Sequence, residues 1–190
     1  MSLLSFIKNL FGKAEKEIKA AASKKTETVT LSALPETVDE MLNMAEFDRK
    51  NPYKVAAFTV AALNRFPASR DDCYAMINDL KGPEPISNRD KEFIRDRFMD
   101  GKDYLMRSYF AGATPDNDYA AAAPYKVSVI EQSNSRENAG YISLYLTSGG
   151  ADSPRLVKLR QKASTQEWFL HQFEFLLAGI RIPKSADKWA

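Results

Sequence analysis

The sequence predicts an α+β protein, with a helical N-terminal half packed on a C-terminal four-stranded antiparallel meander. Three observations carry that prediction. Up to about residue 110 apolar side chains recur three and four apart, whereas beyond Gly112, Pro115 and Asn117 they alternate, as they do along a half-buried strand. Helix-starting residues (Asn51 before Pro52, Ser69, Ser87) stand ahead of the helical stretches. Short turn-forming stretches at 132–140, 148–154 and 162–166 punctuate the alternating half, which implies antiparallel neighbours.

The chain begins with an amphipathic stretch. Leu4, Ile7, Phe11, Ala14, Ile18 and Ala21 fall on one helical stripe, broadened by Leu3, Phe6 and Leu10. Residues 1–25 hold six lysines against Glu15 and Glu17, whereas the whole chain carries only +2, so the remainder is slightly acidic. Gly12 costs about 1 kcal/mol of helix propensity, so this helix needs a surface to stay folded. The stripe could dock on its own domain, pair with a second copy through Leu4, Ile7, Phe11 and Ile18, or lie on an anionic membrane surface. Docking on protein is favoured, because apolar helical stripes are usually buried against protein. Lys8 and Asn9 interrupt the first apolar run, so no export signal is expected. No stretch approaches the roughly 20 apolar residues needed to span a bilayer.

Residues 1–25 are thus read as an amphipathic helix and linker, and 26–190 as a single α+β domain. Ser23 to Thr30 reads as a linker that ends in a short strand through Val29 and Leu31. Thr37 to Met44 forms a short helix with Val38, Met41 and Leu42 on its apolar side. The helix from Pro52 to Phe66 is apolar nearly all round, which places it at the centre of the core. Ser69 opens a helix through Lys81 that buries Tyr74, Ile77 and Leu80, and Gly82, Pro83 and Pro85 stop it. Ser87 and Asp90 cap a helix from Asn88 to Met99, with Phe93, Ile94 and Phe98 inward and Gly101 closing it.

In the alternating half, the inward faces are Tyr125, Val127 and Val129, then Ile142, Leu144 and Leu146, then Val157 and Leu159, then Trp168 and Leu170. Trp168 is expected to be buried under the helices, sharing a core with Phe58, Leu63, Phe93, Ile94, Phe98, Leu144 and Leu146. The tail from Gly179 through Pro183 to Trp189 is irregular yet apolar enough to pack back.

Composition narrows function without naming it. With 190 residues, 44% hydrophobic and 27% charged, the chain can build one sizeable core. A net charge of +2 gives no ground to expect a nucleic-acid partner. The single cysteine, Cys73, excludes an intramolecular disulfide and points to a reducing, cytoplasmic setting; it reads as a buried, inert thiol.

The chemical motifs are weak. His171 is the only histidine and reads as a neutral or hydrogen-bonded strand residue. Ser153, Asp152 and His171 could be drawn as a triad, but there is no G-x-S-x-G turn, and Asp152 and Ser153 are better explained as turn residues. One histidine and one cysteine make no zinc site. Asp100, Asp103, Asp116 and Asp118 lack calcium-loop spacing and read as solvated loop carboxylates. Gly149 and Gly150 lead into Pro154 and a strand rather than a helix, so they form no phosphate cradle. No cofactor and no metal are expected.

The densest signal is a cluster of cations, carboxylates and aromatics around the helix-to-sheet junction: Arg95, Arg97, Asp100, Lys102, Asp103, Tyr104, Arg107, Tyr109 and Phe110. Such interleaving could recognise an anionic ligand; the plainer reading is aromatics in the core and charges in surface pairs. Asp152 is expected to accept backbone N–H bonds within its turn, and Arg155 to reach a carboxylate or carbonyl of the 96–118 region.

The wording of three segments, with a tryptophan nearby, adds a resemblance. FMDGKDYLMRSYFAGATPDNDY (98–119), SGGADSPRLVKLR (148–160), the nearby Trp168 and GIRIPKSADKW (179–189) resemble a bacterial domain-of-unknown-function family, over most of residues 53–190. No activity, cofactor or catalytic residue is assigned to that family, so the resemblance implies none here. The function expected is a non-catalytic binding or protein-interaction module of the bacterial cytoplasm. The alternatives are an enzyme with a carboxylate/arginine site at the junction, or a peripheral membrane protein held by its N-terminal helix.

Overall fold

A computed structural model describes residues 25–189, and the amphipathic stripe expected over residues 4–21 lies outside them. Strands β1 (Lys25–Leu31), β2 (Tyr125–Glu131), β3 (Tyr141–Leu146), β4 (Arg155–Lys162) and β5 (Glu167–Gln172) form one antiparallel sheet in that spatial order. Between β1 and β2 the chain builds helices α1 (Val38–Asn43), α2 (Pro52–Asn64), α3 (Arg70–Lys81) and α4 (Asn88–Arg97).

Each helix starts where its cap predicts. Thr37 accepts from the Glu40 N–H, Asn51 from Tyr53 and Lys54, Ser69 from Asp72, and Ser87 with Asp90 completes a reciprocal capping box. Pro52 occupies the first turn of α2, where its missing N–H costs nothing. All of α2 from Pro52 to Leu63 except Lys54 is buried, and it packs across every strand of the sheet. Gly82 ends α3 at φ 62°, with the Phe169 ring lying where a β-carbon would stand.

The sheet has five strands, not four. Residues expected to be mostly linker pair along their whole length with β2, from Lys25 opposite Glu131 to Leu31 opposite Tyr125. Val29 and Leu31 point into the core while Thr26, Thr28 and Thr30 face out, an alternation that polar β-branched residues satisfy on a half-exposed strand. The three expected hairpins join β2 to β3, β3 to β4 and β4 to β5, with a register irregularity at Lys158/Leu159.

Trp168 is buried, as are Phe58, Leu63, Ile94, Leu144 and Leu146, whereas Phe93 and Phe98 are only partly buried at the core's edge. Tyr74 is likewise half-buried, with its hydroxyl donating to the Lys91 carbonyl. The tail packs back only in part. Ile180 touches the core, but Ile182 is exposed and Trp189 is 96% exposed.

Candidate functional site

The three word-like segments meet at one end of the sheet. Phe110 bridges to Val127, and the Ala111 N–H donates to the Lys126 carbonyl (2.8 Å), so the chain at 110–111 runs against β2. The 148–154 turn folds onto them. The Gly149 N–H donates to the Ser108 carbonyl (2.8 Å), and a short relay runs from the Gly150 N–H to Ser148 Oγ, on to Ser108 Oγ and then to the Leu105 carbonyl.

The tail closes the knot. Arg181 N–H donates to the Gly150 carbonyl, the Tyr119 hydroxyl to the Arg181 carbonyl, and the Tyr109 hydroxyl to the Leu176 carbonyl. A β-carbon on Gly149 would run into the Ala113 carbonyl, and one on Gly150 into the Tyr119 hydroxyl. Both glycines are therefore required by close approach rather than by a ligand. Buried hydroxyls that are all hydrogen-bonded rigidify a junction and leave nothing free for chemistry.

The residues singled out from sequence do not form one site. Asp100, Asp103 and Arg107 line a hollow of about 380 Å³ with Tyr104, Asp118 and the 182–186 segment. Arg107 pairs with Asp103 at 3.5 Å and Lys102 with Asp100 at 3.7 Å, all at least a third exposed, which makes them surface pairs of small worth. Arg95 points into a separate hollow beside Arg70, Asp71 and Tyr74, and the Arg97 guanidinium lies 4.9 Å from the Phe93 ring. Tyr109 is buried, and burial pushes its phenol well above the usual range. Asp118 and Asp116 are tied to the tail, Asp118 by the Ser185 N–H, which lowers its pKa, and Asp116 by Lys184 at 3.4 Å. Among the described residues no three of His, Cys, Asp and Glu converge to hold a metal ion.

Two expectations are corrected. The Asp152 carboxylate accepts no N–H within its turn; it projects outward, 91% exposed, 3.5 Å from Arg181 Nη1, because Ser148 Oγ already satisfies the turn's Gly150 N–H. Arg155 does tie the sheet to other chain, but at the Ala178 (3.0 Å) and Gly179 (2.7 Å) carbonyls rather than in 96–118, which the 148–150 turn covers first. The Ser153–Asp152–His171 combination is not assembled. Ser153 Oγ accepts from Arg155, Asp152 faces Arg181, and His171 lies against Tyr141 and Glu84.

A roomier cleft than the hollow at Asp103 and Arg107 lies elsewhere, over β4 and β5. About 460 Å³ is enclosed by Lys81, Pro83 and Glu84 from the α3–α4 connection, Arg160 to Ala163 from β4 and its turn, and Phe169 to His171 from β5. That volume is within the range of small-ligand sites. Because Val157 and Leu159 point into the core, Lys158, Arg160 and Lys162 must all project from the opposite face. Lys158 Nζ lies 4.9 Å and the Arg160 guanidinium 5.7 Å from the Tyr141 ring, which His171 meets edge-on at 5.2 Å. Burial, against the opposing pull of Glu84 and helped by the push of Lys158, Lys81 and Arg160, leaves the His171 imidazole less basic than usual. Glu84 is the carboxylate of this cleft, 2.7 Å from Arg160 and 3.9 Å from His171.

Sequence reasoning missed this cleft, although its signal was present: once Val157 and Leu159 are inward, the intervening cations share the outer face. Cys73 is buried, and burial alone pushes its thiol up to about 12, so it takes no part in any site.

The family model described as Domain of unknown function (DUF6935) matches residues 33–184, a span that holds the junction and the cleft together. No curated protein and no solved structure matches the chain.

Proposed function

We propose that this chain, which belongs to the family described as Domain of unknown function (DUF6935), is a non-catalytic binding module of the bacterial cytoplasm that holds an anionic partner in the cleft over β4 and β5. One observation carries the reading: three cations, Lys158, Arg160 and Lys162, share one face of a single strand, and two of them, Arg160 and Lys162, line the cleft beside Glu84, with Glu167 of β5 opposite Lys162. A row of like charge on a rigid strand attracts a partner of opposite charge and gives its contacts a fixed spacing. The cytoplasmic setting rests on the lone, buried cysteine, which suits a reducing compartment.

The catalytic alternative draws no support from the junction. Its polar groups are either consumed in hydrogen bonds or, as with Asp103 and Arg107, exposed and paired, whereas catalysis asks for desolvated groups of shifted basicity. Titrating the ¹⁵N-labelled chain with inorganic pyrophosphate tests the binding reading. Amide shifts centred on Arg160, Lys162 and His171 that weaken with added salt are expected. Shifts scattered over the surface, or none, overturn it.

A further inference from the structure

We infer that Glu84 is a tethered occupant of the cleft over β4 and β5, and that the partner which displaces it is an extended, acidic protein segment; this deepens the binding reading and rests on it. The loop that carries Glu84 is pinned on both sides. Before it, Gly82 sits on the Phe169 ring with no room for a side chain; after it, the Ile86 N–H donates to Asn78 Oδ1 at 2.8 Å. Pro83 and Pro85 flank Glu84 and restrict the backbone on either side.

A stiff loop thus delivers one carboxylate to the mouth of a basic cleft. One of its oxygens meets Arg160 at 2.7 Å and the other faces His171 Nδ1 at 3.9 Å, so the pair of residues from neighbouring strands already accommodates a carboxylate. The Glu84 side chain nevertheless stays 59% exposed, and an exposed ion pair yields readily to a competitor. Lys158 and Lys162 flank Arg160 on the same face; among the described residues neither is in an ion pair, although Glu167 of β5 stands opposite Lys162.

The spacing selects the partner's form. Side chains two residues apart on a strand lie about 6.8 Å apart, and an extended peptide repeats its own same-face side chains at that interval. Acidic residues at alternate positions would therefore meet Lys158, Arg160 and Lys162 in turn. A single-stranded nucleic acid fits less well, because it asks for open ring faces on which bases stack. The Tyr141 ring is engaged by Lys158, Arg160 and the edge contact of His171, and the Phe169 ring by Arg49 and Gly82.

Fluorescence anisotropy on the full chain at low salt tests this, using labelled hexaglutamate and labelled hexathymidylate with the wild type, Glu84→Gln and Arg160→Ala. Both substituted residues are exposed, and a thermal melt checks that each variant is folded. Hexaglutamate is expected to bind, to bind roughly two- to fivefold tighter when the charge of Glu84 is removed, and to be lost with Arg160→Ala. Unchanged hexaglutamate affinity in Glu84→Gln overturns the tethered-occupant role while the binding reading stands. Tighter binding of hexathymidylate than of hexaglutamate overturns the peptide partner. If neither wild type nor Glu84→Gln binds either anion, the cleft reading itself falls, and the inference with it.

Discussion

The junction at the end of the sheet and the cleft over β4 and β5 use polar groups in opposite ways. At the junction, Ser108, Ser148, Tyr109 and Tyr119 each spend their hydroxyls on a buried or half-buried partner of the same chain, and Gly149 and Gly150 admit no side chain. In the cleft, Arg160, Lys162 and His171 are exposed, and Glu84 meets them only through a surface pair. Groups already satisfied inside the protein hold it together; groups left facing water with an unbalanced charge are the ones a partner can use. Long recognisable words such as SYFAGATPDNDY therefore record close packing, while the plainer RLVKLRQK of β4 carries the surface proposed here for recognition.

If that contrast is right, damage to stability should concentrate at the junction. Tyr119→Ala is expected to have the largest effect, about 3–5 kcal/mol, since it removes a buried ring stacked on Tyr104 at 5.5 Å and orphans the Arg181 carbonyl. Denaturant unfolding measures it, and a loss below about 1 kcal/mol would break the comparison at its strongest point. Gly150→Ala should follow with about 1–3 kcal/mol, because its β-carbon meets the Tyr119 hydroxyl and, at 2.8 Å, Ile180 Cγ2. Tyr109→Phe keeps the ring and leaves the Leu176 carbonyl unpaired, at a cost of about 1–3 kcal/mol read from the same experiment.

The cleft should answer differently. Arg160→Ala and Lys162→Ala are expected to shift stability by no more than about 0.5 kcal/mol while weakening the capture of anions, so a melt and an anion titration on the same sample separate the two regions. A fall in stability like that of the junction variants would show that these cations hold the fold after all.

The smallest effect is one of pH. His171 is less basic folded than unfolded, so between its lowered folded value and the ordinary value near 6.5 the unfolded chain binds more protons. Its contribution is complete above that ordinary value and is lost as pH falls through the folded value. Comparing melts at pH 7.5 and 5.5, the wild type should lose more stability than His171→Asn; equal losses would remove His171 from the account.

What could be read along the chain was whatever local chemistry decides. Caps at Asn51, Ser69 and Ser87 need only neighbouring residues, and they set the helix starts without tertiary help. The period-two faces of Ile142, Leu144 and Leu146 or of Val157 and Leu159 likewise follow from the backbone geometry of a strand. Even the burial of Trp168 and Cys73 was legible, because each sits on an apolar face of its own element.

Only the folded chain decided what meets across long separations. The pairing of β1 with β2 joins residues about a hundred positions apart, and nothing in a threonine-rich stretch names its partner. Arg155 was legible as a tie but not its target, since carbonyls of 178–179 and of 96–118 look alike until the 148–150 turn occupies one of them. The cleft needed most of all from tertiary structure. Glu84 and Arg160 lie 76 residues apart, and it is the turn at Gly82 over Phe169 that brings the carboxylate to β4. Hydrogen bonds to nearby backbone and the alternation of side chains are properties of a few consecutive residues, so the sequence by itself determined them. Register, close approach and the meeting of distant charges depend on how whole elements pack, and only the fold could decide them.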